Sequence, residues 1–314
     1  AMSGPPVVFA IPLRTRFRGI TTREGMLFSG PAGWGEFSPF WDYSPAECRS
    51  WLRAAREAAD EGWPAAVRDH VPVNAIVPAV DPEHAAAIVR ASGGCRTAKV
   101  KVAEPGRPRN EDIDRVAAVR HALGPTGHIR VDANGAWDVY TAISTIKLLD
   151  AAAAGLEYVE QPCRSLDELA AVRRSVDVRI AADESIRHAD DPLRVTLADA
   201  ADVAVLKVQP LGGVRTCLEI AERCKLPVVV SSALETSVGI AAGVALAAAL
   251  PELPYACGLA TVQLLEEDIV AEPLLPIDGF LSVRRVAPDA AKVDIARADV
   301  AAEQRWRERL RAVA

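Results

Sequence analysis

The 314-residue chain carries 36 basic and 42 acidic side chains, a net charge of −6, and half of its residues are hydrophobic. This composition excludes disorder, collagen and coiled coil as descriptions of the whole chain. The acidic balance, without a lysine-rich run, also argues against a nucleic-acid binder. The basic residues are 30 arginines and only six lysines, at 99, 101, 147, 207, 225 and 292.

Residues 1–70 begin with apolar alternation at 7–11 and 14–18, punctuated by Gly25, Gly30 and Gly33. Antiparallel strands are expected there, followed by a helix over 45–61. Arg14, Arg16 and Arg18 read as a solvated strand face, with anion contact as the lesser reading. The first apolar run, 7–13, is broken by Pro12 and does not form a signal peptide. The longest apolar run, 238–250, is shorter than the roughly 20 residues of a membrane span. A soluble, cytoplasmic protein is expected.

From residue 71 onward short β-branched segments alternate with alanine-rich ones. Strands are predicted at 73–79, 98–103, 129–132, 158–160, 180–183, 203–207 and 228–231, with a weaker eighth at 255–259. Helices are predicted at 81–92, 110–123, 137–154, 166–176, 191–198, 214–225 and 238–249. Asp81, Ser165 and Asp191 stand where helices need N-caps. Eight βα steps favour a closed parallel barrel, and no G-x-G-x-x-G follows the first strand. Gly93-Gly94 and Gly212-Gly213 read as turns, the latter with a phosphate cradle as its lesser reading. The six cysteines form no C-x-x-C pair and are expected to be free buried thiols in a reducing compartment. After residue 272 come short β segments and a charged helix over 299–311. A small α+β unit made from residues 1–70 and 273–314 is therefore expected beside a barrel spanning 71–272.

Barrel enzymes place their chemistry at the C-terminal ends of the strands. Lys99 and Lys101 share one face of the second predicted strand, because side chains two apart point the same way. Asp132, Glu160, Asp183 and Lys207 close the next four, and the seventh ends in Ser231-Ser232. From Asp132 to Ser231 these positions follow at intervals of 28, 23, 24 and 24 residues, one βα unit each. Three carboxylates side by side repel one another, and a hard divalent cation removes the conflict. Asp132, Glu160 and Asp183 therefore read as a site for Mg²⁺, with Mn²⁺ as a substitute. A lysine ordinarily titrates near about 10.4, and a neighbouring Lys99 and a cation are expected to lower Lys101 towards a usable base. Any one acidic strand end is more often a helix cap or an ion-pair partner. Six ionisable groups in this order favour a site.

This order of residues resembles the enolase superfamily, in its muconate-lactonizing branch, across the whole chain. The Lys-x-Lys at 99 and 101, the three carboxylates and Lys207 carry the resemblance. Within the branch the chain is most similar to the o-succinylbenzoate synthases, through residues 34–40 (Trp-Gly-Glu-Phe-Ser-Pro-Phe), 130–134 (Arg-Val-Asp-Ala-Asn), 231–239 and 256–261. The resemblance implies a modified (β/α)7β TIM barrel with an α+β cap, and a Mg²⁺-dependent lyase of menaquinone biosynthesis. Such a lyase dehydrates 2-succinyl-6-hydroxy-2,4-cyclohexadiene-1-carboxylate (SHCHC) to o-succinylbenzoate by removing the proton alpha to a carboxylate.

By the same resemblance Lys101 is the base, and Lys207 stabilises the anionic intermediate from the opposite face. Lys99 supports the pKa of Lys101. Ser231, Ser232 and Gly258 meet the succinyl end, and Arg130 and Asn134 support or orient the substrate. Residues 18–26 fall where the family has a mobile specificity loop, which is short here. N-succinylamino acid racemases, and other epimerases or cycloisomerases of the branch, keep the same lysines and carboxylates and are the alternative reading. A non-catalytic ligand-binding barrel is the reading from outside enzymology. The expected partner is a small-molecule substrate, with no nucleic acid and no membrane, and a monomer is preferred.

Overall fold

The computed structural model describes residues 4–188 and 191–314. The chain opens with a meander, β1 (Val7–Phe17), β2 (Ile20–Gly30) and β3 (Gly33–Phe37), paired antiparallel in that order. Phe9, Ile11 and Leu13 are buried at alternate positions of β1, as one-sided burial of a strand requires. Arg18 and Gly19 form the β1–β2 turn with φ of 50° and 73°, the left-handed pair that matches the twist of a tight hairpin. Residues 18–26, expected to hold a short loop, are thus a two-residue turn and the start of a strand. Arg14, Arg16 and Arg18 are exposed on the strand and its tip.

Helix α1 (Pro45–Arg56) starts at a capping box between Ser44 and Glu47. The helix expected over 45–61 widens into a π-turn at Glu57–Glu61. There the Glu57 carboxylate accepts the amides of Val214 at 2.7 Å and Arg215 at 3.2 Å. That contact also answers the Gly212-Gly213 question. The helix N-terminus that follows the glycines is filled by Glu57, so no phosphate cradle forms. A Cβ on Gly213 would lie 2.9 Å from that carboxylate.

β4 (His70–Pro72) leaves the barrel and pairs with β12 (Phe280–Ser282) near the C-terminus. The expected first barrel strand is consequently trimmed to β5 (Ala75–Val77). Then follow α2 (Pro82–Arg90), β6 (Thr97–Lys101), α3 (Arg109–Leu123), β7 (His128–Asp132), α4 (Val139–Ala153), β8 (Tyr158–Glu160), α5 (Leu166–Ser175) and β9 (Ile180–Ala182). The second half contains α6 (Glu184–Arg187), α7 (Arg194–Leu197), β10 (Val203–Lys207), α8 (Val208–Leu211), α9 (Val214–Cys224), β11 (Val228–Ser231) and α10 (Ser237–Ala249). The helix expected over 191–198 is this single turn α7. Asp191 precedes Pro192, which disfavours helical backbone, and its side chain turns to the Leu193 amide at 3.0 Å. The other N-caps are as expected, with Asp81 on α2 and a Ser165–Glu168 capping box on α5.

The seven strands β5 to β11 form one parallel sheet in sequential order. The eighth, weaker segment closes it. Cys257 bridges Val73 and Gly258 bridges Ser231, both in parallel register. The Gly258 amide donates to Val230 and the Asn74 amide to Cys257, at 2.8 and 2.9 Å. The core between sheet and helices is built from the apolar faces of both layers. Tyr158, Ala181, Val203, Val205 and Val229 form a separate plug with Tyr255.

Another core joins β1 to β3 and α1 to residues 264–270 and to α11 (Ala290–Ala296) and α12 (Val300–Val313). Trp306 of α12 is fully buried there and donates to Glu24 at 2.8 Å. Truncating such a side chain to alanine costs about 3–5 kcal/mol. Arg309 of α12 donates to the carbonyls of Pro39 and Phe40 at 2.7 and 2.5 Å, so the C-terminal helix fixes residues 39–43 against the barrel mouth.

Candidate active site

Strand register alone assembles the centre. Lys101, Asp132 and Glu160 are direct cross-strand partners on β6, β7 and β8. Lys99, Arg130 and Tyr158 form the row beneath them, two residues earlier on each strand. Asp183 and Lys207 follow after β9 and at the end of β10, and Lys207 pairs in register with Ser231. Above these ends lies a cavity of about 660 Å³, lined by Lys99, Lys101, Asn134, Lys207, Ser231, Ser232 and Gly258. The cap closes it with Arg16, Phe17 and Arg18 from the hairpin tip.

The three lysines are paired with the three carboxylates one to one. Lys101 Nζ lies 2.5 Å from Asp132 and 3.1 Å from Asn134 Oδ1. Lys207 Nζ lies 2.8 Å from Asp183, and Lys99 Nζ 3.5 Å from Glu160. Burial alone would raise the Asp132 carboxyl, but Lys101 and Lys99 hold it well below the usual range. Glu160 goes the other way. Burial first, and Asp132 alongside it, push Glu160 up to about 8. Adjacent like charges are driven apart in this manner when added positive charge is lacking.

The lowering expected for Lys101 depends in part on a bound cation; from the side chains alone the balance runs the other way. Burial would lower this lysine, but Asp132 and Glu160 overcome that and hold the ammonium above its ordinary value. Lys207 is lowered instead, by burial and by Arg187 beside it, against the pull of Asp183.

Among the described residues no three His, Cys, Asp or Glu side chains meet in a formed coordination sphere. The carboxylates lean towards their lysines instead. Nevertheless Glu160 Oε1 and Oε2, Asp183 Oδ1 and Glu184 Oε2 are buried without a hydrogen-bond partner. Buried carboxylate oxygens without a hydrogen bond carry a desolvation cost that a bound cation relieves. The hard oxygen donors of Asp132, Glu160 and Asp183 therefore fit a hard divalent ion.

The remaining expected residues divide between wall and support. Ser231 Oγ stands 3.4 Å from Lys99 Nζ, and Ser232 bonds Thr261 at 2.6 Å. Gly258 has no room for a side chain, since a Cβ would fall 2.5 Å from Ser231 Oγ. Asn134, in a left-handed conformation with φ 49°, bridges Lys101 and Glu184. Arg130 does not line the cavity. It is fully buried below the floor, paired with Glu157, donating to Ala256 at 2.7 Å and stacked over Tyr158.

The structure adds residues that motif spacing did not single out. Gln161, with φ 43°, accepts the amides of Asp183 and Ser185 and so aims the end of β9. Glu184 accepts Asn134 at 3.1 Å and Arg187 at 2.9 Å. Arg187 also pairs with Asp183 and donates to Tyr43 of the cap at 2.7 Å. The Asp183–Arg187 spacing of one helical turn was a legible signal for that pair. Phe17, 5.1 Å from Lys101 Nζ across the cap boundary, had none.

The sequence matches the family model described as Enolase C-terminal domain-like over residues 82–290, and Enolase N-terminal domain-like over 8–59. It is 66% identical over 304 residues to the o-succinylbenzoate synthase of Thermobifida fusca (strain YX), covering 97% of this chain and 94% of that protein. The chain belongs to the o-succinylbenzoate synthase family of the enolase superfamily. Identity to the family member of Mycobacterium tuberculosis (strain ATCC 25618 / H37Rv) is 55% over 305 residues, 97% of this chain and 92% of that one.

Solved structures show the same fold. The muconate lactonizing enzyme of Pseudomonas fluorescens, complexed with muconolactone, superposes with a TM-score of 0.78 at 21% identity, covering 93% of this chain and 98% of that one. The L-Ala-D/L-Glu epimerase of Bacillus subtilis, in a substrate-liganded complex, gives 0.76 at 24% identity, covering 90% and 96%. The expected capped (β/α)7β barrel is thus the fold of this family. Among the described residues no helix is long and apolar enough to cross a membrane.

Proposed function

We propose that this chain is an o-succinylbenzoate synthase that dehydrates SHCHC, with Mg²⁺ held by Asp132, Glu160 and Asp183. The observation that carries the reading is the registered row Lys101–Asp132–Glu160 facing Lys207 across one cavity, in a chain 66% identical to a relative of that name. An ion held by Asp132, Glu160 and Asp183 would supply Lewis-acid stabilisation of the charge that builds on the substrate carboxylate. Lys101 Nζ accepts the proton alpha to that carboxylate. It returns the proton to the departing hydroxide, so that water leaves and the ring becomes aromatic. Lys207, from β10, offers its ammonium to the negative charge that develops over the other face of the ring. Ser231, Ser232 and Gly258 shape the wall that receives the succinyl arm.

Two opposed lysines are also what a racemase needs, so the test sets the two activities side by side. SHCHC dehydration and N-succinylamino acid racemisation are measured with and without Mg²⁺. Metal-dependent dehydration as the faster activity is expected, and no SHCHC turnover by a folded sample sinks the reading. The six buried free thiols support a reducing, cytoplasmic setting.

A further inference from the structure

Behind the cavity wall, where the cap meets the loop after β11, lies a buried polar cluster that takes no part in the chemistry above. Arg23 of β2 is 2% exposed. Its Nε donates to the Leu234 carbonyl at 2.7 Å, and its Nη2 donates to those of Ala233 and Ser38 at 2.9 and 2.6 Å. Glu36 of β3, also buried, accepts the Thr236 amide at 3.1 Å, the Thr236 hydroxyl at 2.5 Å and the Gly239 amide at 3.3 Å. Between them the two cap residues hold both ends of residues 233–239. Leu234 adopts a left-handed φ of 58°, a conformation that a branched residue keeps only under restraint. Ser232, Ala233 and Leu234 line the cavity, and so does Phe40, which lies 4.1 Å beneath the Arg23 guanidinium.

We propose that Arg23 is a positioning residue for substrate specificity: from outside the cavity, its planar fork sets the backbone of the wall at 232–234. The proposal rests on the function given above only for what lies against that wall, the succinyl arm. This wall contributes hydroxyl, backbone and apolar surface and no titratable group. Moving it changes how the far part of the substrate is held and leaves proton transfer at Lys101 alone. A lysine at position 23 keeps the charge but cannot reach three diverging carbonyls from one point.

The test is Arg23→Lys, studied by amide hydrogen exchange without ligand and by steady-state dehydration with Mg²⁺. Faster exchange confined to residues 232–239 is expected, with a rise in KM of about fivefold or more and kcat within about twofold of wild type. Unchanged exchange in that segment, an increase spread evenly over cap and barrel, or a fall in kcat at constant KM overturns the proposal. If Arg23→Lys does not fold, Arg23→Met, which fills the same buried space without the donors, carries the same readouts, and unchanged exchange in 232–239 overturns the proposal equally. Wild-type turnover tests the function itself. The exchange arm needs no substrate, so the two failures are distinguishable.

Discussion

On the barrel side of the cavity, Lys101, Asp132 and Glu160 stand at equal heights on three adjacent parallel strands. On the cap side, Arg16 and Phe17 arrive at the tip of an antiparallel hairpin, and Arg23 and Glu36 act through a buried cluster behind the wall. The barrel groups are placed by repetition, since each βα unit returns the chain to the same mouth. The cap groups are placed by docking, through contacts between residues some 200 positions apart. Chemistry common to a whole family can be built on the first kind of placement. Selectivity among substrates can be altered through the second without disturbing the first.

If that division is right, barrel substitutions act on turnover and cap substitutions on binding and stability. The largest effect is expected for Lys101→Ala, a loss in kcat of about 10²–10⁴-fold or more with the circular dichroism spectrum retained. An unfolded variant would make Lys101 a structural residue instead. Next comes Glu160→Gln, expected to weaken Mg²⁺ binding by about tenfold or more in calorimetric titration. Because it removes a carboxyl already pushed up to about 8, the metal-free protein should lose no stability near neutral pH. Unaltered Mg²⁺ affinity would remove Glu160 from the ligand set.

The third prediction concerns the cap seam. Burial, with Glu235 beside it, pushes Glu36 up to about 7 from an ordinary 4.5. Between those values the folded chain keeps a proton that the unfolded chain releases, so stability is present at low pH and is lost as pH rises through 7. The wild type should lose up to about 3 kcal/mol between about pH 5 and pH 8 in urea titrations, and Glu36→Gln should flatten that slope. Equal slopes in the two proteins would show that Glu36 stays charged. The smallest effect is expected for Glu57→Ala, which removes the cap's carboxylate from the start of α9. It should cost about 1–2 kcal/mol with kcat unchanged, and a change in kcat would mean that the seam reaches the chemistry.

Strand ends were legible because buried parallel strands are short apolar, valine-rich runs, as at 203–206 and 228–230, each closed by a polar residue. The shortening of the helix expected over 191–198 to a single turn was not legible, because Asp191-Pro192 reads equally as a helix start and as the turn it forms. The pairing of β4 with β12 was hidden for a different reason. The strand was expected at 73–79, and nothing in His70-Val71-Pro72 marks these residues as a strand whose partner lies near residue 281.

What the sequence determined by itself is the repeating βα unit and, with it, the ionisable series at 101, 132, 160, 183 and 207. Periodicity fixes which residues fall at strand ends; register then puts 101, 132 and 160 in one row, with 183 and 207 further along the strand direction. The tertiary structure decided their electrical states and their enclosure. Lys101 is held charged and Glu160 is pushed towards neutrality because burial and distance set the balance between desolvation and Coulomb attraction, and neither can be read along a chain. Arg23, distant in sequence from every motif, reaches the cavity wall only because folding lays β2 against residues 233–234.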